Sequence, residues 1–300
     1  MKLKARAHFE GIYSFAAVNA NTGESRDLGS VSDSPNMIVK TGLNTMGNSD
    51  RLINQCVVGT NSTTVSFEDT SLGAQIAATT TVQSETYGAQ GSAPYFRWYR
   101  RTYRFAQGAA AGNLAEVGIK SSNGALFSRA LIVDSAGNPT TLTILSDEYL
   151  DVTYEFRTYI DIEDKVQQLT VNGVVYTATL RAANANSSNS YQDYGITNSW
   201  NSSYHQYFYS GYISGVTGGP GGSNYNHSRS VRGNYVNDSF ERTFIFSAGL
   251  NYANFEGGIQ SIYLQTTQGN FQVGFSPAIP KNNYMILTVD LTIAWGPYDT

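Results

Sequence analysis

In an extended chain Phe9, Gly11, Tyr13, Phe15 and Ala17 fall on one face and His8, Glu10, Ile12 and Ser14 on the other. The same period of two returns in Tyr99, Arg101, Tyr103 and Phe105 against Arg100, Thr102 and Arg104. It returns again in Leu150, Val152, Tyr154 and Phe156 against Asp151, Thr153, Glu155 and Arg157. Such runs recur about every ten residues, with turn chemistry between them in Asn19-Ala20-Asn21-Thr22-Gly23 and Asp134-Ser135-Ala136-Gly137-Asn138-Pro139. Only 14% of the 300 residues are charged while 13% are aromatic, 21 of them Tyr. Amphipathic helices need charged or amide side chains on their wet face, and disordered chains combine high charge with few aromatics, so both classes are disfavoured. The reading is an all-β chain of sandwich type with at most short helices. One such helix is expected at Thr41–Gly47, closed by Gly47.

An ordered internal echo constrains the organisation further. Arg101-Thr102-Tyr103-Arg104-Phe105 is answered by Arg242-Thr243-Phe244-Ile245-Phe246, and Asn113, Glu116, Gly118 and Ile119 by Asn254, Glu256, Gly258 and Ile259 with one deletion. Phe127–Leu131 then matches Phe275–Ile279, and Tyr149–Phe156 matches Tyr284–Leu291. Preserved order points to duplication. Two related β-sandwich domains are expected, 1–160 and 161–300, the second carrying a Tyr/Asn/Ser/Gly-rich insertion at about 182–228. Within that insertion Asp193 is the sole charged side chain. Trp200, Tyr204, Tyr207, Tyr209, Tyr212 and Tyr225 make it a candidate interface or recognition surface, because Tyr offers rigid amphipathic area while Asn and Ser adapt their hydrogen bonds. Packing against a neighbouring subunit, ligand recognition and plain loop all remain open for it. Arg129, in an otherwise apolar run, is either an edge-strand guard or the partner of a carboxylate across a subunit boundary.

Catalytic chemistry is sparse. The net charge is −4, from 23 acidic and 19 basic side chains, which gives no basic face for nucleic acid. No window approaches the roughly 18 to 20 apolar residues of a spanning helix, so membrane insertion is not expected. The basic opening Met1–Arg6 is followed by His8, Glu10 and Ser14, which break the apolar stretch a secretory signal needs. Cys56 is the single cysteine and lies in a strand-like run, a buried thiol suited to a reducing compartment. His8, His205 and His227 are scattered, no G-x-S-x-G elbow accompanies them, and one cysteine with three separated histidines makes no zinc site. Glu68-Asp69, Asp147-Glu148 and Asp161/Glu163/Asp164 read as solvated turn carboxylates; calcium binding or an acid–base pair for glycoside cleavage are the alternatives. Gly218–Gly222 lacks the Lys-Ser/Thr of a phosphate loop. No catalytic residue, metal ligand or cofactor is assigned.

The runs Pro35-Asn36-Met37-Ile38-Val39-Lys40-Thr41-Gly42-Leu43-Asn44, Val57-Val58-Gly59-Thr60-Asn61 and Asp69-Thr70-Ser71-Leu72 resemble the opening of a group of tailed-bacteriophage virion proteins. Arg101–Phe105, Asn113-Leu114-Ala115-Glu116-Val117-Gly118, Leu126-Phe127-Ser128-Arg129-Ala130 and Tyr149–Tyr154 look like the same group, so the resemblance covers about residues 9–160. It implies a non-enzymatic structural component of the virion tail (fibre, collar, baseplate or adaptor), multimeric, assembled in the bacterial cytoplasm with copies of itself and other tail proteins. A tail module that binds host-surface glycan is the alternative, and a polysaccharide-cleaving glycosidase the second alternative.

Overall fold

In a computed structural model, described over residues 2–30, 36–48, 50–196, 206–227 and 231–297, the chain is almost entirely strand. Its first third comprises β1 (Lys2–Asn19), β2 (Ser25–Ser30), β3 (Met37–Ile38), α1 (Lys40–Met46), β4 (Gln55–Gly59), β5 (Gln75–Thr79), β6 (Val82–Ala89) and β7 (Phe96–Phe105). The middle holds β8 (Gly112–Leu114), β9 (Glu116–Lys120), β10 (Leu126–Leu131), β11 (Leu142–Ile144), β12 (Glu148–Ile160), β13 (Lys165–Val171) and β14 (Val174–Ala182). β15 (Gln206–Tyr209), β16 (Asn224–His227), β17 (Val231–Arg232), β18 (Glu241–Ala248), β19 (Ile259–Gln265), β20 (Asn270–Ile279) and β21 (Leu287–Pro297) complete it. The expected short helix is α1, ended by Gly47.

Three main sheets form. An eight-stranded sheet runs β17-β18-β21-β1-β12-β7-β6, with β2 also on β1. A five-stranded sheet runs β3-β10-β9-β4-β5, a six-stranded one β13-β14-β20-β19-β15-β16, and β8 pairs with β11. Alternation explains the layering. The buried face of the large sheet carries Phe9, Tyr13 and Phe15 of β1, Tyr154 and Phe156 of β12, Tyr103 and Phe105 of β7, and Phe244 and Phe246 of β18. Both smaller sheets pack on that face. Phe127 of the five-stranded sheet meets Phe156 edge-on at 5.5 Å between centroids, and Tyr13 Oη lies 2.6 Å from Ser128 Oγ. From the six-stranded sheet, Phe208 meets Phe246 at 6.1 Å. The result is a sandwich whose large layer is shared and whose main core cluster runs through both halves, with a smaller cluster of Val39, Val57, Leu72 and Leu126 beside it.

The boundary read at residue 160 falls where the chain leaves the large sheet for β13, and strands from both halves are hydrogen-bonded into the large sheet. Its two flanks repeat a motif. Thr102 on β7 faces Thr153 on β12 with hydroxyls 2.8 Å apart, and Thr243 on β18 faces Thr292 on β21 at 2.9 Å. Phe105 lies opposite Leu150, and Phe246 opposite Val289. The structural counterpart of Leu150–Thr153 is therefore Val289–Thr292, four residues beyond the match drawn from sequence at Met285–Thr288. Alternation alone does not distinguish even-numbered slips, because a shift of two or four keeps the same face inward.

Helix α1 is seated on β10 by contacts that need Gly42. Thr41 Oγ1 donates to the Leu126 carbonyl at 2.6 Å, Val39 N–H donates to that of Phe127 at 3.1 Å, and a Cβ at position 42 would run into the Phe127 carbonyl group. Because the obstacle is backbone, Gly42→Ala is expected to destabilise the fold by ~1–3 kcal/mol, outweighing the ~1 kcal/mol that alanine gives in a free helix. A lower urea midpoint at unchanged m-value is the expected result.

Candidate functional site

Four motifs far apart in the chain meet around one guanidinium. Arg129 on β10 is 2% exposed; its Nε donates to Glu116 at 2.9 Å, its Nη1 to Asp69 at 2.7 Å and its Nη2 to the Thr63 carbonyl at 3.1 Å. Glu116, on the adjacent β9 and fully buried, accepts the backbone N–H groups of Gly73 at 3.1 Å and Ala74 at 2.8 Å. Gly59 makes room for this, since a Cβ there would press on the Ala74 carbonyl and the Glu116 carboxylate. Leu72 closes the cluster among Val39, Val57 and Leu126. The whole connection 60–74, which has no regular structure of its own, is thereby pinned to the five-stranded sheet.

The structure gives Arg129 carboxylate partners within its own chain, Glu116 and Asp69, and places β10 between β3 and β9 instead of at a sheet edge. Four of the seven runs that carry the resemblance (57–61, 69–72, 113–118 and 126–130) meet in this cluster.

A second buried cluster ties down the start of the Tyr/Asn segment. Asp193, its sole charge, accepts from Arg101 Nη2 at 3.2 Å and pairs with Arg51 Nε at 3.3 Å. Arg101 sits on the inward face of β7; it also donates to the Ile53 carbonyl, to Tyr99 Oη at 3.1 Å, and pairs with Glu85 at 2.6 Å. Arg51 donates to Tyr194 Oη at 2.8 Å with its guanidinium over the Tyr194 ring. Burial pushes the Asp193 carboxyl above its ordinary range, against the pull of Arg101 and Arg51. Backbone bonds complete the anchor: Leu52 N–H donates to the Asp193 carbonyl at 2.7 Å and Ile196 N–H to that of Met46 at 2.8 Å. Beside it, Gln192 donates to the Arg97 carbonyl and Gln268 to the carbonyls of Gln192 and Tyr194, an amide network that joins the two halves without charge.

The aromatic candidates divide. Tyr207 and Tyr209 on β15 form a group with Tyr263 on β19, with centroids 6.0 and 6.2 Å from Tyr207. Asn184 donates to Tyr263 Oη at 2.9 Å. Tyr212 lies over Gly274 of β20, where a Cβ would meet its ring. Tyr225 on β16 stacks on Tyr252 at 4.8 Å and 20°, apart from that group. Trp200 and Tyr204 lie outside the described residues. Tyr252 and Tyr263, which the reading of 182–228 missed, lie beyond it in sequence and reach it through strand pairing and loop contact.

The carboxylate runs are engaged. Glu68 faces Lys40 at 3.4 Å, Asp69 holds Arg129, Asp147 accepts from Asn19, Asp161 and Glu163 flank Lys165, and Asp164 grips Arg181. Among the described residues no three His, Cys, Asp or Glu gather as metal ligands. Cys56 is buried in β4, and burial drives its thiol pKa far up. His8 Nδ1 sits 3.2 Å from the Pro297 carbonyl; His205 and the side chain of His227 are outside the described residues.

Two outcomes test these ion pairs. Arg129→Met strands a buried Glu116 and is expected to cost ~3–5 kcal/mol, whereas adding Glu116→Gln costs less than the sum of the single changes by ~1–3 kcal/mol. Denaturant melts of the four species measure this. Glu148 accepts from Arg26 Nε at 3.1 Å and Nη2 at 3.0 Å and from the Leu145 N–H at 2.8 Å, and these bonds, Arg26 first, hold its pKa below the ordinary value. A depressed folded-state pKa gives stability that is present above the unfolded value and lost as pH falls. Melting temperature should thus drop less steeply between about pH 6 and about pH 3 in Glu148→Gln than in the parent.

Against known proteins, no family model, no curated protein and no solved structure matches the chain.

Proposed function

We propose that the chain is a non-enzymatic structural component of a tailed-phage virion, a tail fibre, collar, baseplate or adaptor protein, that acts by assembling with copies of itself and with other tail proteins. The supporting observation is where the residues of the resemblance go. Asp69, Glu116 and Arg129 neutralise one another in a buried cluster that holds a long connection on a sheet, and Gly42 and Gly59 make room for backbone contacts. These are framework roles. The Tyr/Asn segment complements them: it is anchored through Asp193 and presents neutral aromatic and amide groups, which suit the charge-poor core of a lasting interface.

Light scattering on the purified chain, together with affinity capture of the other proteins of a disrupted phage tail, tests the proposal. Self-association or capture of a defined tail protein is the expected result. A chain that stays single and captures none of them overturns it.

A further inference from the structure

The long edge strands of the three sheets are not equally protected. β6, at the end of the eight-stranded sheet, carries Glu85 and a register break between Val82 and Ser84, and β5 pairs with β4 through another break at Val58/Gly59. β13, at the end of the six-stranded sheet, has no register break, and its one charged residue is Lys165 at the first position. Its ladder with β14 runs unbroken from Lys165↔Leu180 to Val171↔Val174 around the Asn172-Gly173 turn, and its residues Val166-Gln167-Gln168-Leu169-Thr170-Val171 include no charge and no proline. On the face shared with β14, Val166 is 63% and Val175 58% exposed. Natural sheets block such edges with Lys, Pro or bulges, because an open row of N–H and C=O groups pairs with any strand that reaches it.

The space beside this edge is open and neutral. A cleft of about 500 Å³ lies between Gln168–Asn172 and the first residues of β21, Leu287–Val289, with no charged side chain in its lining. The other cleft near this hairpin, about 330 Å³, is lined instead by Lys4, Arg6, Asp161, Glu163, Lys165 and Arg181.

Charge selects the occupant. When two copies of one strand pair antiparallel about a two-fold axis, residues near the axis face their own symmetry mates, so any charge there meets its like. We propose that β13 is where two copies of this chain join edge to edge, about a two-fold axis at Gln168, the midpoint of the strand. Gln168 then faces Gln168 of the partner subunit through complementary amides, Val166 faces the partner's Thr170, and Lys165 falls opposite the partner's Val171 at the ends. The shared face carries Val166 and Val175 of both copies into one uncharged strip. The two six-stranded sheets become continuous. This rests on the assembly reading above and names its self-contact.

Charge substitution at the axis tests it. Gln168→Lys and Gln168→Glu are made on the exposed face, away from the core, and thermal melts check that each variant folds as the parent does. At low salt the parent is expected to scatter as two chains, each variant alone as one, and an equimolar mixture of the two variants as two again. Variants that associate as the parent does, or a mixture that stays single, overturn the proposal while leaving assembly through another surface intact. A parent that stays single yet captures tail proteins also overturns it and leaves the assembly reading standing. If the parent does neither, both fall.

Discussion

The molecule depends on β1 satisfying two different neighbours along one strand. From Lys2 to Phe9 it runs parallel to β21, and from Ala7 to Asn19 antiparallel to β12, with β2 taking over beside it from Ser14 to Val18. Every other strand of the large sheet reaches its place through this one. Its inward positions show the consequence. Ala5 and Ala7 are small where the six-stranded sheet comes near at β14, whereas Phe9, Tyr13 and Phe15 are large beneath the five-stranded sheet. Gly11 lies between them because Tyr154 and Asn36 occupy the volume a side chain would need.

Few charges are available, and many of them are used as fasteners. Arg129 fastens 60–74, and Arg101 fastens the start of the Tyr/Asn segment. Lys281, buried after β20, donates to the carbonyls of Gly249 and Asn282 and to Asn254 Oδ1 at 2.8 to 2.9 Å, organising the loop after β18. The two arginines each join a stretch without regular structure to a sheet, and Lys281 joins two loops to each other. In such settings a buried ion pair adds little net stability over an apolar pair, but it fixes one arrangement, since any other leaves a charge unpaired in the interior. The outer face of the large sheet is different: Arg104 with Asp151, and Arg157 with Glu10 and Glu155, are partly exposed pairs that keep that face in water.

Much of the fold was legible because a period of two is a local property. The strands around Phe9, Tyr103 and Tyr154, their inward faces and the helix before Gly47 follow from residues next to one another. The β13–β14 hairpin was also within reach, for Asn172-Gly173 between valine and threonine runs is a strong two-residue turn, with both residues at positive φ in the structure. Register and partnership were harder. Nothing near Val289 shows that it, rather than Met285, pairs opposite the repeated phenylalanine. Arg129 announced itself as an arginine in an apolar run, but its partners Asp69 and Glu116 are chosen by the folded path of the chain. The signal for Asp193 was present in two halves: a lone charge in a neutral segment, and Arg101 on the inward phase of β7. Joining them required the structure.

The parallel pairing of Lys2 with Asp290 has a consequence for how the chain reaches this state. Contacts between residues so distant in sequence carry a large loop-closure cost and give a high contact order, which slows folding. On a ribosome β12 is available to β1 long before β21 emerges, so one side of the β1 amino-terminal stretch stays open through most of synthesis. A nascent chain in that condition displays an unsatisfied strand edge beside apolar surface, the form most exposed to mispairing with other chains. Completion of the large sheet is thus a late event in the life of each molecule.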